Sequence, residues 1–163
     1  MEDDSMSALH KTNVVRLLEA RGISFELLSY EVDESDLSAV SVAAKAGIDI
    51  DRVFKTLVLR ASSGELFVCV IPGGYELDLR KAAQAAGVKK ADLIHVREIL
   101  DLTGYIRGGC SPVGMKKTYP TFIDETCQLY DKIYVSAGVR GLQVLIAPGD
   151  LINLANAEVT DLM

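Results

Sequence analysis

The chain has no tryptophan, and its 163 residues include only two histidines, three cysteines and four prolines. Each scarcity excludes something. His10 and His95 stand far apart, with no HExxH pattern and no His/Cys cluster, so no segment has the ligand spacing of a zinc or iron site. Cys69, Cys110 and Cys127 form no CxxC pair, and an odd thiol count fits a reducing compartment better than a disulfide framework. There is no GxxxxGK[ST] and no GxGxxG, which removes the P-loop and the dinucleotide fingerprint. Neither a metal nor a cofactor is expected. Positive charge is also short. The 17 Lys and Arg face 23 Asp and Glu, a formal net charge of −6. A broadly basic nucleic-acid binder is not built this way, although an acidic total leaves room for a local basic patch. No apolar run approaches the roughly 20 residues of a membrane helix. Met1 to Met6 lacks the basic and apolar regions of a secretory leader. These features lead to the expectation of a soluble cytoplasmic protein with no membrane partner.

What remains is the composition of a folded domain, 49% hydrophobic and 25% charged. The length suits one domain. Residues 1–10 read as an acidic, flexible tail, and residues 11–163 as the domain. Thr12 can cap a helix carrying Val14, Leu17 and Leu18 on one face and stopping near Gly22. Phe25 to Tyr30 is β-prone, and Asp33 to Asp36 is an acidic turn. A helix over Val40–Ala46 ends at Gly47. Phe54–Arg60 and Leu66–Ile71 read as a hairpin around Ser62-Ser63-Gly64, the second strand apolar on both faces and therefore central. An Ala-rich helix over 78–86 stops at Gly87; a short strand at Asp92–His95 and a helix over Val96–Leu102 follow. Thr121–Asp124, Lys132–Ala137, Gln143–Ala147 and Glu158–Leu162 read as strands, with a helix opened by Pro148 before the last. Hairpins and short helices without regular βαβ units predict an α+β fold.

Few residues carry obvious chemistry. Gly109-Cys110-Ser111-Pro112-Val113 starts like a nucleophile elbow but lacks its last glycine, and Pro112 stands at the turn into the helix. Ser111 therefore reads as a turn serine. Cys110 reads as a small buried hydrophobe, because no motif sets a cation or histidine beside it to lower its pKa. Lys55 is a lone charge in an apolar strand, either a functional ammonium, an edge-strand guard or a solvent-face residue. The Gly108-Gly109 loop and the segment Ser136-Ala137-Gly138-Val139-Arg140-Gly141 are either tight turns or places where backbone N–H groups approach an anion. Lys89-Lys90, Lys116-Lys117 and Arg140 form a basic rim or are simply solvated.

Taken together, Phe54-Lys55-Thr56-Leu57, Gly108-Gly109-Cys110-Ser111-Pro112-Val113-Gly114 and Ser136-Ala137-Gly138-Val139-Arg140-Gly141 resemble the YbaK/EbsC family in order and spacing. Leu79-Arg80-Lys81-Ala82-Ala83, Gly87-Val88-Lys89-Lys90 and Ile146-Ala147-Pro148-Gly149-Asp150-Leu151 extend the resemblance from about residue 11 onward. The family is similar to the editing domain of prolyl-tRNA synthetase. The resemblance implies a curved, mainly antiparallel sheet with flanking helices. It also implies an aminoacyl-tRNA deacylase that works in trans, clearing cysteine from tRNA(Pro) in the branch that this chain looks most like. Lys55 matches the family lysine that holds the charged 3′ end. Gly108 and Gly109 would offer backbone donors to the scissile carbonyl, and Thr56, Ser111, Pro112, Ser136, Ala137 and Gly138 would line the substrate. Tyr30 matches a family aromatic near the pocket. The implied mechanism has no protein nucleophile, because the substrate thiol attacks its own carbonyl. The partners implied are tRNA and prolyl-tRNA synthetase. The readings kept beside this one are a non-catalytic module that binds aminoacyl-tRNA or a nucleotide, and a deacylase for another small residue such as alanine.

Overall fold

The structure, a computed structural model, describes residues 11–163, so the tail expected at residues 1–10 lies outside the described residues. In chain order the elements are α1 (Asn13–Ala20), β1 (Phe25–Ser29), α2 (Ala39–Ala46), β2 (Phe54–Ala61), β3 (Leu66–Pro72), α3 (Leu79–Ala86), β4 (Ala91–Leu93), α4 (Ile99–Thr103), β5 (Thr121–Asp124), β6 (Ile133–Ser136), β7 (Leu142–Ile146), α5 (Pro148–Ala155) and β8 (Ala157–Thr160). Short 3₁₀ turns precede β2 and α4 and follow β5. Helix starts are chemical. The side chains of Thr12, Ser38 and Asp78 each accept from a backbone N–H of the first turn of α1, α2 and α3. Such a cap is worth about 1 kcal/mol. No helix among the described residues is long and apolar enough to cross a membrane.

The strands form two ladders. One has the order β1-β7-β6 and is antiparallel throughout. The other has the order β4-β2-β3-β5-β8, antiparallel from β4 to β3 and parallel from β3 to β8. This is the mixed α+β architecture that the sequence predicts, with antiparallel pairs in the majority. The expected single sheet is interrupted, however. Only an isolated parallel bridge, Val53 to Tyr134, joins β6 to the start of β2.

Alternation along β3 explains where the cores lie. Val68 and Val70 face the larger core with Val14 and Leu18 of α1, Val135 and Val144 of the smaller ladder, and Leu151 of α5. Phe67, Cys69 and Ile71 point the other way, against Ala82 of α3, Phe122 and Leu162. Both faces of β3 are thus buried, as its unbroken apolar run requires. Phe67 meets Phe122 edge to face, with ring centres 6.0 Å apart. Burying a side chain of that size contributes about 1.5–3 kcal/mol.

Candidate functional site

β3 covers one edge of β2 from Phe54 to Arg60, but β4 covers the other edge only from Leu59 to Ala61. The backbone of Val58 faces the β4 side, where its carbonyl accepts from Ile94 N–H, and Ala61 N–H faces β3. Peptide groups alternate sides along a strand. Thr56 N–H and C=O therefore face the uncovered stretch.

A cavity of about 350 Å³ lies along that stretch, within the ordinary range for a small-molecule site. Lys55, Thr56 and Leu57 form its strand wall. Leu37 and Val42 line it from α2 and the preceding loop, Leu93, Ile94 and Ile99 from the β4–α4 region, and Arg107, Gly108 and Cys110 from the glycine loop. Ser136 and Gln143 complete the lining. They are cross-strand partners on β6 and β7. Their neighbours Val135, Leu142 and Val144 point into the larger core, so the pair stands on the opposite face, toward the cavity.

Lys55 is half-buried, and burial lowers its pKa while the charge of Glu76 opposes the shift. Among the described residues no carboxylate forms an ion pair with it. Cys110 is the only cysteine on the lining. Burial pushes its thiol up to about 11, against a hydrogen bond with Thr103 that pulls it down. The thiolate needed for nucleophilic attack is therefore scarce at neutral pH. Two buried polar atoms of the lining, Thr56 Oγ1 and Gln143 Oε1, have no hydrogen-bond partner among the described residues. An unpaired buried acceptor costs about 1–3 kcal/mol.

The two glycine segments pack on each other. Gly108 has φ +85°, and a Cβ there would meet Arg140 Nε and Leu37 Cδ1, each at 3.3 Å. A Cβ on Gly109 would meet the Val139 backbone at 3.1 Å. Ser136 Oγ donates to Gly109 O at 2.9 Å and accepts from Gly138 N–H at 3.0 Å. Arg140 Nε donates to Arg107 O at 2.8 Å, and its guanidinium pairs with Glu34 at 2.7 Å.

The structure therefore brings Lys55, Thr56, Gly108 and Ser136 to one cavity. Gly109 is buried behind the wall, and its N–H is used by Ile106 O at 2.9 Å. Ser111 is fully buried, and its hydroxyl accepts from Val113 N–H at 3.3 Å. Pro112 and Ala137 are buried without reaching the lining, and Gly138 serves the turn. Tyr30 borders a separate small cleft that shares Gly108 with the main cavity. Lys89, Lys90, Lys116 and Lys117 are exposed and off the lining, and the cation there besides Lys55 is Arg107. Among the described residues no group of three His, Cys, Asp or Glu gathers as a metal site. Gln143 escapes a reading from sequence. Its signal is the one that marks Lys55, a lone polar residue inside an apolar strand.

Comparison with known proteins adds to this geometry. The family model for the aminoacyl-tRNA editing domain matches residues 34–154. EbsC of Enterococcus faecalis, provisionally named a Cys-tRNA(Pro)/Cys-tRNA(Cys) deacylase, is 44% identical over 152 residues, covering 93% of each chain. A proline–tRNA ligase of Pelobacter propionicus is 32% identical over 80 residues, 49% of this chain and 14% of that much longer one. Among solved structures, one provisionally described as a trans-editing enzyme for prolyl-tRNA synthetase superposes with a TM-score of 0.77 at 26% identity, covering 93% of this chain and 97% of that one.

Proposed function

This chain belongs to the aminoacyl-tRNA editing domain family, and from that premise we propose that it is a deacylase acting in trans to clear cysteine from mischarged tRNA(Pro). The observation that carries the reading is the cavity. A half-buried ammonium without a partner carboxylate among the described residues lies beside an uncovered backbone donor, and the thiol on the lining is held protonated. Such a site stabilises a developing oxyanion and supplies no nucleophile.

The substrate supplies its own. Its thiol sulfur forms a bond to the ester carbonyl carbon, and the bond from that carbon to the ribose 3′-oxygen breaks. The thiol proton ends on the departing 3′-oxygen, and the products are a cyclic thiolactone and free tRNA. Intramolecular attack has a high effective molarity when the reacting atoms are held close. Lys55 meets the carbonyl oxygen or the terminal phosphate, and Thr56 N–H and the Gly108 wall offer further donors. Arg107 stands toward the tRNA backbone. Ser136 holds the glycine loop in place, with Ser111, Pro112, Ala137, Gly138 and Gly109 shaping the support behind it. Tyr30 acts from the neighbouring cleft, through the shared Gly108.

The test is ester loss from cysteine-charged tRNA(Pro), with alanine-charged tRNA(Pro) and the Lys55→Ala protein in parallel. Rapid loss of cysteine, abolished in a folded Lys55→Ala protein, is the expected result. Loss of alanine alone would reassign the substrate. No loss above the spontaneous rate, even with prolyl-tRNA synthetase added, would leave a binding module.

A further inference from the structure

Gln143 is 5% exposed, lines the cavity, and has a carboxamide oxygen that nothing among the described residues satisfies. The hydroxyl oxygen of Thr56, on the strand wall, is in the same condition. The two belong to different ladders, and both line the one cavity. Buried polar atoms are almost always paired, so an unpaired carboxamide oxygen and an unpaired hydroxyl on one cavity describe the missing ligand. The carboxamide oxygen calls for an N–H or O–H donor, and the hydroxyl can accept a second or donate its own proton.

The rest of the lining has the opposite character. Lys55, Arg107 and the uncovered Thr56 N–H are donors and suit a carbonyl or a phosphate. An aminoacyl ester has both halves of the pattern, a carbonyl and, one carbon away, an amino group. The ribose 2′-hydroxyl also donates, but it brings a single proton. An amino group can donate to both oxygens at once and leave the Thr56 proton free for the carbonyl.

We propose that Gln143, together with Thr56, receives the α-amino group of the aminoacyl ester and so makes the site selective for α-amino esters over other acyl groups on the same tRNA end. This rests on the deacylase reading and adds to it a residue that recognises the substrate. A neutral carboxamide suits the task, because it accepts from the amine without setting a second charge beside Lys55.

The test compares tRNA(Pro) charged with cysteine and with 3-mercaptopropionate, which is cysteine without its amino group. Each enzymatic kcat/KM is divided by the spontaneous rate of the same ester, because the amine itself activates the carbonyl. The wild-type protein is expected to favour the cysteine ester at least tenfold. Gln143→Met, of similar length but unable to accept as an amide does, is expected to bring the two within about threefold by losing rate on the cysteine ester alone. Circular dichroism and a thermal melt report whether the variant folds. The wild-type comparison stands without it, and Gln143→Glu, which keeps the acceptor, is expected to retain the preference. Equal normalised rates in the wild type would overturn the proposal, as would a Gln143→Met protein that loses equally on both esters or keeps the preference. Acceleration of neither ester by the wild type would overturn the deacylase reading as well, so the two failures are told apart.

Discussion

Lys55 sits in a cavity whose walls are mostly hydrocarbon, and burial there disfavours its charged form. The sign of the consequence follows from linkage. A lysine whose folded pKa lies below its unfolded value destabilises the fold fully below the folded pKa, and the penalty fades as pH rises toward 10.5. At neutral pH Lys55→Met should therefore raise the melting temperature while abolishing deacylation. Scanning calorimetry beside the turnover assay checks this, and a lower melting temperature would make Lys55 a structural residue. Cys110 leads to a different expectation. With its thiol pushed up to about 11 by burial, it stays protonated at neutral pH. Cys110→Ala should retain at least about a third of the activity. A loss beyond about a hundredfold, with the fold kept, would make the thiol a participant. Lys55 was legible in the sequence because a charge inside Phe54 to Leu59 demands a reason. Gln143 has the same setting inside Leu142 to Ile146, but a neutral amide is common on half-buried strands. Its signal becomes strong only when pairing opposite Ser136 turns it away from the core. The part played by Gly109 was hidden for a similar reason. Composition shows that a loop is tight, but not which carbonyl takes each N–H.

Element boundaries were mostly legible, because their causes are local. Thr12, Ser38 and Asp78 hydrogen-bond within their own first turns, and Gly47 and Gly87 follow the last ones. The stretch expected as one helix over Val96–Leu102 departs from this. It begins as a 3₁₀ turn, Val96–Glu98, and becomes α-helical only from Ile99. The reason is long-range. Glu98 accepts from His95 N–H and from both terminal nitrogens of Arg60, at 3.2 and 2.7 Å, which ties the turn to β2. These partners hold its carboxyl down at about 2, well below the ordinary 4.5. The folded chain thus keeps this carboxylate ionised where the unfolded chain protonates it. The stabilisation is complete above pH 4.5 and is lost as pH falls toward 2. Glu98→Gln should flatten that part of the acid dependence. Melting temperatures measured at pH 7 and pH 3 check it, and an unchanged difference between the two would rule out the Arg60 pairing as a contributor to stability.

On the scale of the whole molecule, strands were legible and their partners less so. The β2–β3 hairpin follows from a short turn. The parallel pairing of β3 with β5, and of β5 with β8, joins segments that only the packed core brings together. The interruption between the ladders was likewise not legible, since Val53 and Tyr134, far apart in sequence, meet only in the packed fold. Net charge acts at this scale too. A total of −6 leaves little phosphate neutralisation beyond the few cations near the cavity, so binding of uncharged tRNA should be weak and log K should fall only shallowly with log salt. A filter-binding titration across salt concentrations checks this. Added prolyl-tRNA synthetase is expected to sharpen selection of tRNA(Pro), and selective binding by the isolated protein at physiological salt would exclude that dependence.

The single bridge between Val53 and Tyr134 has a further consequence, for how such a site can diversify. Lys55 and Thr56 belong to one ladder, Ser136 and Gln143 to the other, and among the described residues one bridge is the only backbone pairing that links them. A substitution or register adjustment in the β6–β7 hairpin has little hydrogen-bonded route by which to displace the lysine. The strand that carries the lysine can stay fixed while side chains on β7 are rewritten. A library confined to β7, sparing the turn that packs on Gly108 and Gly109, would explore new acyl groups while leaving the backbone pairing of Lys55 intact.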